Sequence, residues 1–194
     1  MQNEEFVALL TAVMMLFCVA AVAEEAGFEE TPIYVDGTEE SGNEQDVEAA
    51  HLHVAAVYFQ PVPMEPADIA GLGVEGANFH IEADISALEN GYGFGAGDWV
   101  PYLTIDFKIT SETTGKVAAE GTMMPMSASD GPHYGLNVAL TEADTYTLTF
   151  IIHSPAENGY LLHVDEETGV TEHSFWSEPV EVNFQHWEYT VQEW

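Results

Sequence analysis

Arginine is missing from this 194-residue chain, and lysine occurs only at Lys108 and Lys116, against 34 acidic residues. The formal charge of −32 leaves no basic patch to neutralise phosphates, so no nucleic-acid partner is expected. The same field disfavours anionic membrane surfaces and concentrates cations around the molecule. Adaptation to high salt and deliberate recharging both account for such a surface. At low ionic strength its self-repulsion works against the compact state. Cysteine is nearly as scarce, with Cys18 the single one. It sits in an apolar leader, and the rest of the chain has no thiol for a disulfide, a zinc–thiolate cluster or a cysteine nucleophile. A nucleophile-elbow pattern is absent too, although Ser127 and Ser129 lie near His133.

The leader is the apolar run from Phe6 to Ala23, ending Ala21-Val22-Ala23 before Glu24-Glu25. Its length and small-residue exit are those of a secretory signal peptide, although Met1-Gln2-Asn3-Glu4-Glu5 lacks the usual positive charge. The run is marginal for a membrane span and has no basic flanks, so no stable insertion is expected once it is cleaved. Phe17 before Cys18 argues against a lipoprotein signal. The expected organisation is a signal peptide over residues 1–23, an acidic flexible linker over 24–50 and one domain over 51–194.

What that domain does contain is period-two alternation. Ile105, Phe107 and Ile109 alternate with Asp106 and Lys108; Tyr146, Leu148, Phe150 and Ile152 alternate with threonines; Val180, Val182 and Phe184 alternate with Glu181 and Asn183. Such patterning marks half-buried strands. Further strands are expected over 54–62, 79–88 and 135–140, punctuated by turns at Glu89-Asn90-Gly91, Thr113-Thr114-Gly115, Asp130-Gly131-Pro132 and Glu157-Asn158-Gly159. No long amphipathic helix is present. Seven or so short strands over about 140 residues predict an all-β fold, an immunoglobulin-like antiparallel β-sandwich. The glycine-rich stretch 93–97 precedes a strand, not a helix, so it reads as a structural turn beneath Trp99 rather than a phosphate loop.

Three segments carry groups that can ligate a metal. In 79–85 the odd positions are apolar and the even ones polar, so His80, Glu82 and Asp84 project together away from the core. Alone, that pattern reads first as a solvated polar face. The stretch Met123-Met124-Pro125-Met126 followed by Asp130-Gly131-Pro132-His133 combines thioether, carboxylate and imidazole in a constrained, non-helical segment. One or both of Met123 and Met124 read as packing. His163 lies further on, in a polar turn where a plain surface histidine is the competing reading. His51, His53, His153, His173 and His186 show no partner pattern. Sulfur, imidazole and carboxylate converging on one point would form a transition-metal site.

Four blocks, AAVYFQPVPMEP (55–66), FHIEADISALENGYGFGAGDWVPYLTI (79–105), GTMMPMSASDGPHYGLNV (121–138) and HVDEETGV (163–170), resemble the periplasmic high-affinity ferrous-iron transport family. The resemblance covers about residues 53–190. It implies a small periplasmic β-sandwich homodimer, with metal sites near the subunit interface, that accompanies an inner-membrane iron permease and is not an enzyme. It also implies the ligand set His80, Glu82, Met126, His133 and His163, with Asp130 at a neighbouring or alternate position. Met and His favour copper, whereas Glu and His accept Fe(II) and Mn(II), so copper and ferrous iron are the expected ions, with manganese or zinc as substitutes in vitro. The competing functions are a periplasmic copper carrier on the same ligands, and a β-sandwich interaction module whose acidity serves solubility.

Overall fold

Two antiparallel sheets packed face to face account for the alternating segments in the computed structural model, which describes residues 29–194. In chain order the strands are β1 (Thr31–Pro32), β2 (Glu44–Val47), β3 (Leu52–Phe59), β4 (Phe79–Ala87), β5 (Thr104–Ser111), β6 (Val117–Thr122), β7 (Met124–Ser127), β8 (Pro132–Val138), β9 (Asp144–His153) and β10 (Val180–Tyr189). One sheet has the order β1-β3-β4-β8-β7, with β2 also paired to β3; the other has the order β10-β9-β5-β6. This is the expected all-β, immunoglobulin-like sandwich. Among the described residues no helix is long and apolar enough to cross a membrane.

The alternation does what it predicts. In β5 every second residue is buried, and in β9 Leu148, Phe150 and Ile152 turn inward. Ile81, Ala83 and Ile85 of β4 line the same core. Aromatic rings lock the sheets together at one end, with Tyr58 against Trp187 (ring centroids 5.2 Å apart) and Phe79 against Tyr189 (5.4 Å). Such pairs add about 0.5–1.5 kcal/mol each beyond their buried area. The chain changes sheets at Met123, between β6 and β7. That side chain is buried in the core, so it is the packing methionine of the pair.

Three expectations need correction or closer definition. The stretch expected as a flexible linker is, from residue 31, part of the sheet. Thr31 and Pro32 pair with Tyr58 and Val57, Glu44–Val47 pair with Leu52–Ala55, and Ile33 is fully buried. Edge pairing uses backbone groups and needs few large apolar residues, so a composition rich in Glu, Thr and Gly conceals it. The strand expected to reach Val62 stops at Phe59, since Pro61 has no N–H to give a ladder. The Met123–Gly135 stretch is not a loop but the β7–β8 hairpin. Pro125 is tolerated on the edge strand, and Pro132 at the first position of its strand. The signal-peptide reading of residues 1–23, with Cys18, lies outside the described residues.

Residues 60–78 leave β3, cross the outer face of the larger sheet and return as β4. Val62 and Leu72 hydrogen-bond the Asn137 side chain on β8, and Gly71 sits over the Met124 thioether. On this face Val57, Phe59, His80, Glu82, His133 and Asn137 are all buried.

The glycine-rich turn is tied to the hairpin from the core side. Trp99 stacks on Tyr134, whose hydroxyl accepts the Leu103 N–H (3.1 Å) and donates to the Val100 carbonyl (2.8 Å). Tyr134→Phe leaves both backbone groups unpaired in a dry core and is expected to destabilise the protein by about 1–3 kcal/mol. Urea denaturation measures it; an unchanged midpoint and slope would contradict this role for the hydroxyl.

Candidate metal centre

Strand register places the ligand-bearing residues before any side chain is considered. His80 pairs with Asn137, Glu82 with Gly135, Gly135 with Met124, and His133 with Met126. Residues directly opposite in an antiparallel pair share a face. The face here is the outer one, since the alternate residues Ile81 and Ala83 point into the core.

His80 is fully buried, with its ring beside Phe59. Its Nδ1–H donates to Asn137 Oδ1 (3.0 Å), which leaves Nε2 carrying a lone pair. Nε2 is buried without a hydrogen-bond partner, 3.7 Å from Glu82 Oε1. The position opposite Glu82 must be glycine: a Cβ on Gly135 would lie 2.6 Å from His80 Nε2 and 2.9 Å from the Ile81 carbonyl oxygen. His133 Nε2 approaches the same Glu82 oxygen at 3.1 Å. One atom each from His80, Glu82 and His133 lies within 4.8 Å of the others, the only such group among the described residues. Two ligands about 2.0–2.2 Å from a shared ion can stand about 4 Å apart, so a small inward rotation closes the set. An unpartnered buried acceptor is costly by itself, and an ion satisfies it.

The electrostatics point the same way. Burial brings His80 down to about 4, with His133 adding repulsion and the Asn137 hydrogen bond opposing. Burial also lowers His133, against the pull of Asp130. Glu82 is pushed up to about 8, first by burial and then by the charges of Asp84, Glu30 and Asp130. At neutral pH, before any ion binds, the three groups are therefore two neutral imidazoles and a protonated carboxyl, ringed by acids. A cation relieves all of these penalties at once.

The six residues expected from the sequence fall into three groups. His80, Glu82 and His133 come together. Met126 is half-buried on the edge strand, directly across from His133 on the shared face. Asp130 sits at the exposed hairpin tip, close enough to raise Glu82. His163 lies outside the cluster; its side chain is 73% exposed and its Nε2 is 2.9 Å from Asp165 Oδ2. Sequence reasoning missed Asn137, Gly135 and Glu30. Only the register could have found the first two, and Glu30 lay in the supposed linker.

Residues 29–191 match the family described as Fe2+ transport protein. The 34 kDa membrane antigen of Treponema pallidum (strain Nichols) is 44% identical over 172 residues, covering 87% of this chain and 78% of the antigen. The copper-reconstituted P19 protein from Campylobacter jejuni superposes with a TM-score of 0.73 at 40% identity, covering 85% of this chain and 99% of P19. A copper-bound variant of FetP from uropathogenic Escherichia coli gives 0.73 at 39% identity, covering 85% and 100%. A match that spans almost every described residue and includes each strand of the ligand-bearing sheet makes this chain a member of the Fe2+ transport protein family.

Proposed function

We propose that this chain is a periplasmic, non-enzymatic metal-binding protein serving high-affinity ferrous-iron uptake. In this reading His80, Glu82, Met126 and His133 hold one ion, and His163 of a second copy completes the set. The observation that carries it is the buried, unpartnered Nε2 of His80 beside Glu82 and His133. Two imidazoles and a carboxylate suit Fe(II), and a thioether adds affinity for copper, Cu(I) above all. The copper-bound P19 and FetP structures support the copper side, and the family the iron side. Exposed Leu161 and Val164 flank His163, an apolar setting that suits a face meeting a second copy of the chain. Asp130 offers a hard oxygen at a neighbouring position. An inner-membrane iron permease is the downstream partner in this reading. Met126 also favours a second reading, a periplasmic copper carrier; growth under iron against copper limitation separates the two.

Copper titration tests the ligand set. His80→Ala and His133→Ala are expected to lower affinity by more than about 100-fold, beyond the usual loss from an outer-shell change, with circular dichroism unchanged. Gly135→Ala should lower it too, although every ligand is present, because the new methyl displaces the His80 ring. Unchanged isotherms in both histidine variants would overturn the assignment. Weak binding that salt abolishes would instead mark an interaction module.

Proton release gives the pH dependence. Glu82 is held up at about 8, so at neutral pH an ion must displace its proton, whereas His80, at about 4, has none to lose. Affinity therefore rises with pH to about 8, with close to one proton released per ion at about pH 6–7 and almost none above about pH 9. Calorimetry in two buffers of different ionisation enthalpy measures this, and Glu82→Gln should abolish the release. A pH-independent affinity in the native protein would contradict it.

A further inference from the structure

The Asn137 side chain has every hydrogen-bonding position filled. It is buried, its Oδ1 accepts from His80 Nδ1 (3.0 Å) and from the Val62 N–H (3.1 Å), and its Nδ2 donates to the carbonyls of Val62 (2.8 Å) and Leu72 (2.9 Å). Those two carbonyls fix the orientation of the amide, because a flipped amide would set oxygen against oxygen at both. With Oδ1 held toward His80, the imidazole proton is confined to Nδ1 and the lone pair to Nε2, the atom that faces Glu82 over Gly135. Val62 and Leu72 both belong to the 60–78 roof. One amide thus holds the roof at two points and the ring beneath it at a third.

We infer that Asn137 is a positioning residue that sets the tautomer of His80 and makes that tautomer depend on closure of the 60–78 roof. The role takes its purpose from the reading of His80 as a metal ligand, since only the Nδ1–H form presents Nε2 to an ion. A roof lifted from Val62 and Leu72 releases the amide, and a released amide no longer dictates which ring nitrogen keeps the proton. Asn137→Ala removes both functions. Asn137→Asp separates them: it keeps an acceptor for His80 Nδ1 and the Val62 N–H, and loses the donors to the two carbonyls.

Long-range 1H–15N correlation of the histidine rings in the metal-free, full-length protein reads the tautomer, and amide hydrogen exchange reads the roof. In the native protein His80 should carry its proton on Nδ1. In Asn137→Ala both tautomers should be populated, roof amides should exchange about tenfold faster or more while β5 and β9 keep their protection, and copper affinity should fall about 10–100-fold with a changed Cu(II) electron-paramagnetic signature. In Asn137→Asp the Nδ1–H form should persist while roof exchange rises, a result that a merely structural role does not produce. A native His80 protonated on Nε2 would overturn the inference, as would an Asn137→Ala protein with unaltered tautomer and roof exchange. If the tautomer responds but neither protein binds copper, the metal reading falls and the positioning role stands.

Discussion

Covering the outer face of a β-sheet is the constraint on which the rest of this structure depends. A sandwich normally leaves that face to water, and polar residues at alternate positions are then unremarkable. Here the face is closed, with residues 60–78 held to it at Asn137, so His80, Glu82 and His133 are buried and His80 Nε2 is left without a partner. The imidazoles respond by remaining neutral and Glu82 by holding its proton. Burial therefore turns part of a polar strand face into a group of ligand-type atoms that a cation would satisfy.

The overall charge acts on a different length scale. Among the described residues every acid–base contact at ion-pair distance has histidine as its basic partner, so most surface acids go uncompensated. That field draws cations toward the protein but is screened beyond about 8 Å at physiological salt. It cannot choose between ions. In the proposed site, selection falls to the donors, a thioether on β7 with imidazole and carboxylate from β8 and β4. The neighbouring acids Glu30, Asp84 and Asp130 link the two scales, because their repulsion of Glu82 is what an arriving ion cancels.

Much of this was legible in the sequence, for identifiable reasons. Alternation in β5, β9 and the first half of β10 announces sheet because each buries one face of large apolar residues. The His-x-Glu spacing in β4 placed two ligands on one side, and the His133 segment was recognisable from its residue types. What escaped depends on contacts distant in sequence. Residues 60–78 have no periodicity, so nothing local says that they reach Asn137 on β8. Gly135 looks like any strand glycine until register sets it opposite Glu82, beneath the His80 ring. Asn137 reads as a polar strand residue until the roof meets it. β1 and β2 pair through backbone alone, which composition cannot register. The position of His163, outside the cluster in its own protomer, is likewise invisible to spacing.

The central claim is that a single ion sits among His80, Glu82, His133 and Met126. X-ray absorption at the copper edge of the Cu(I)-loaded protein tests it most directly. The account predicts a first shell containing at least two imidazoles and one sulfur at about 2.3 Å, with the sulfur lost in Met126→Ile and one imidazole lost in His80→Ala. A shell of light atoms without imidazole scattering, unchanged by either substitution, would place the ion on the acidic surface and contradict the account.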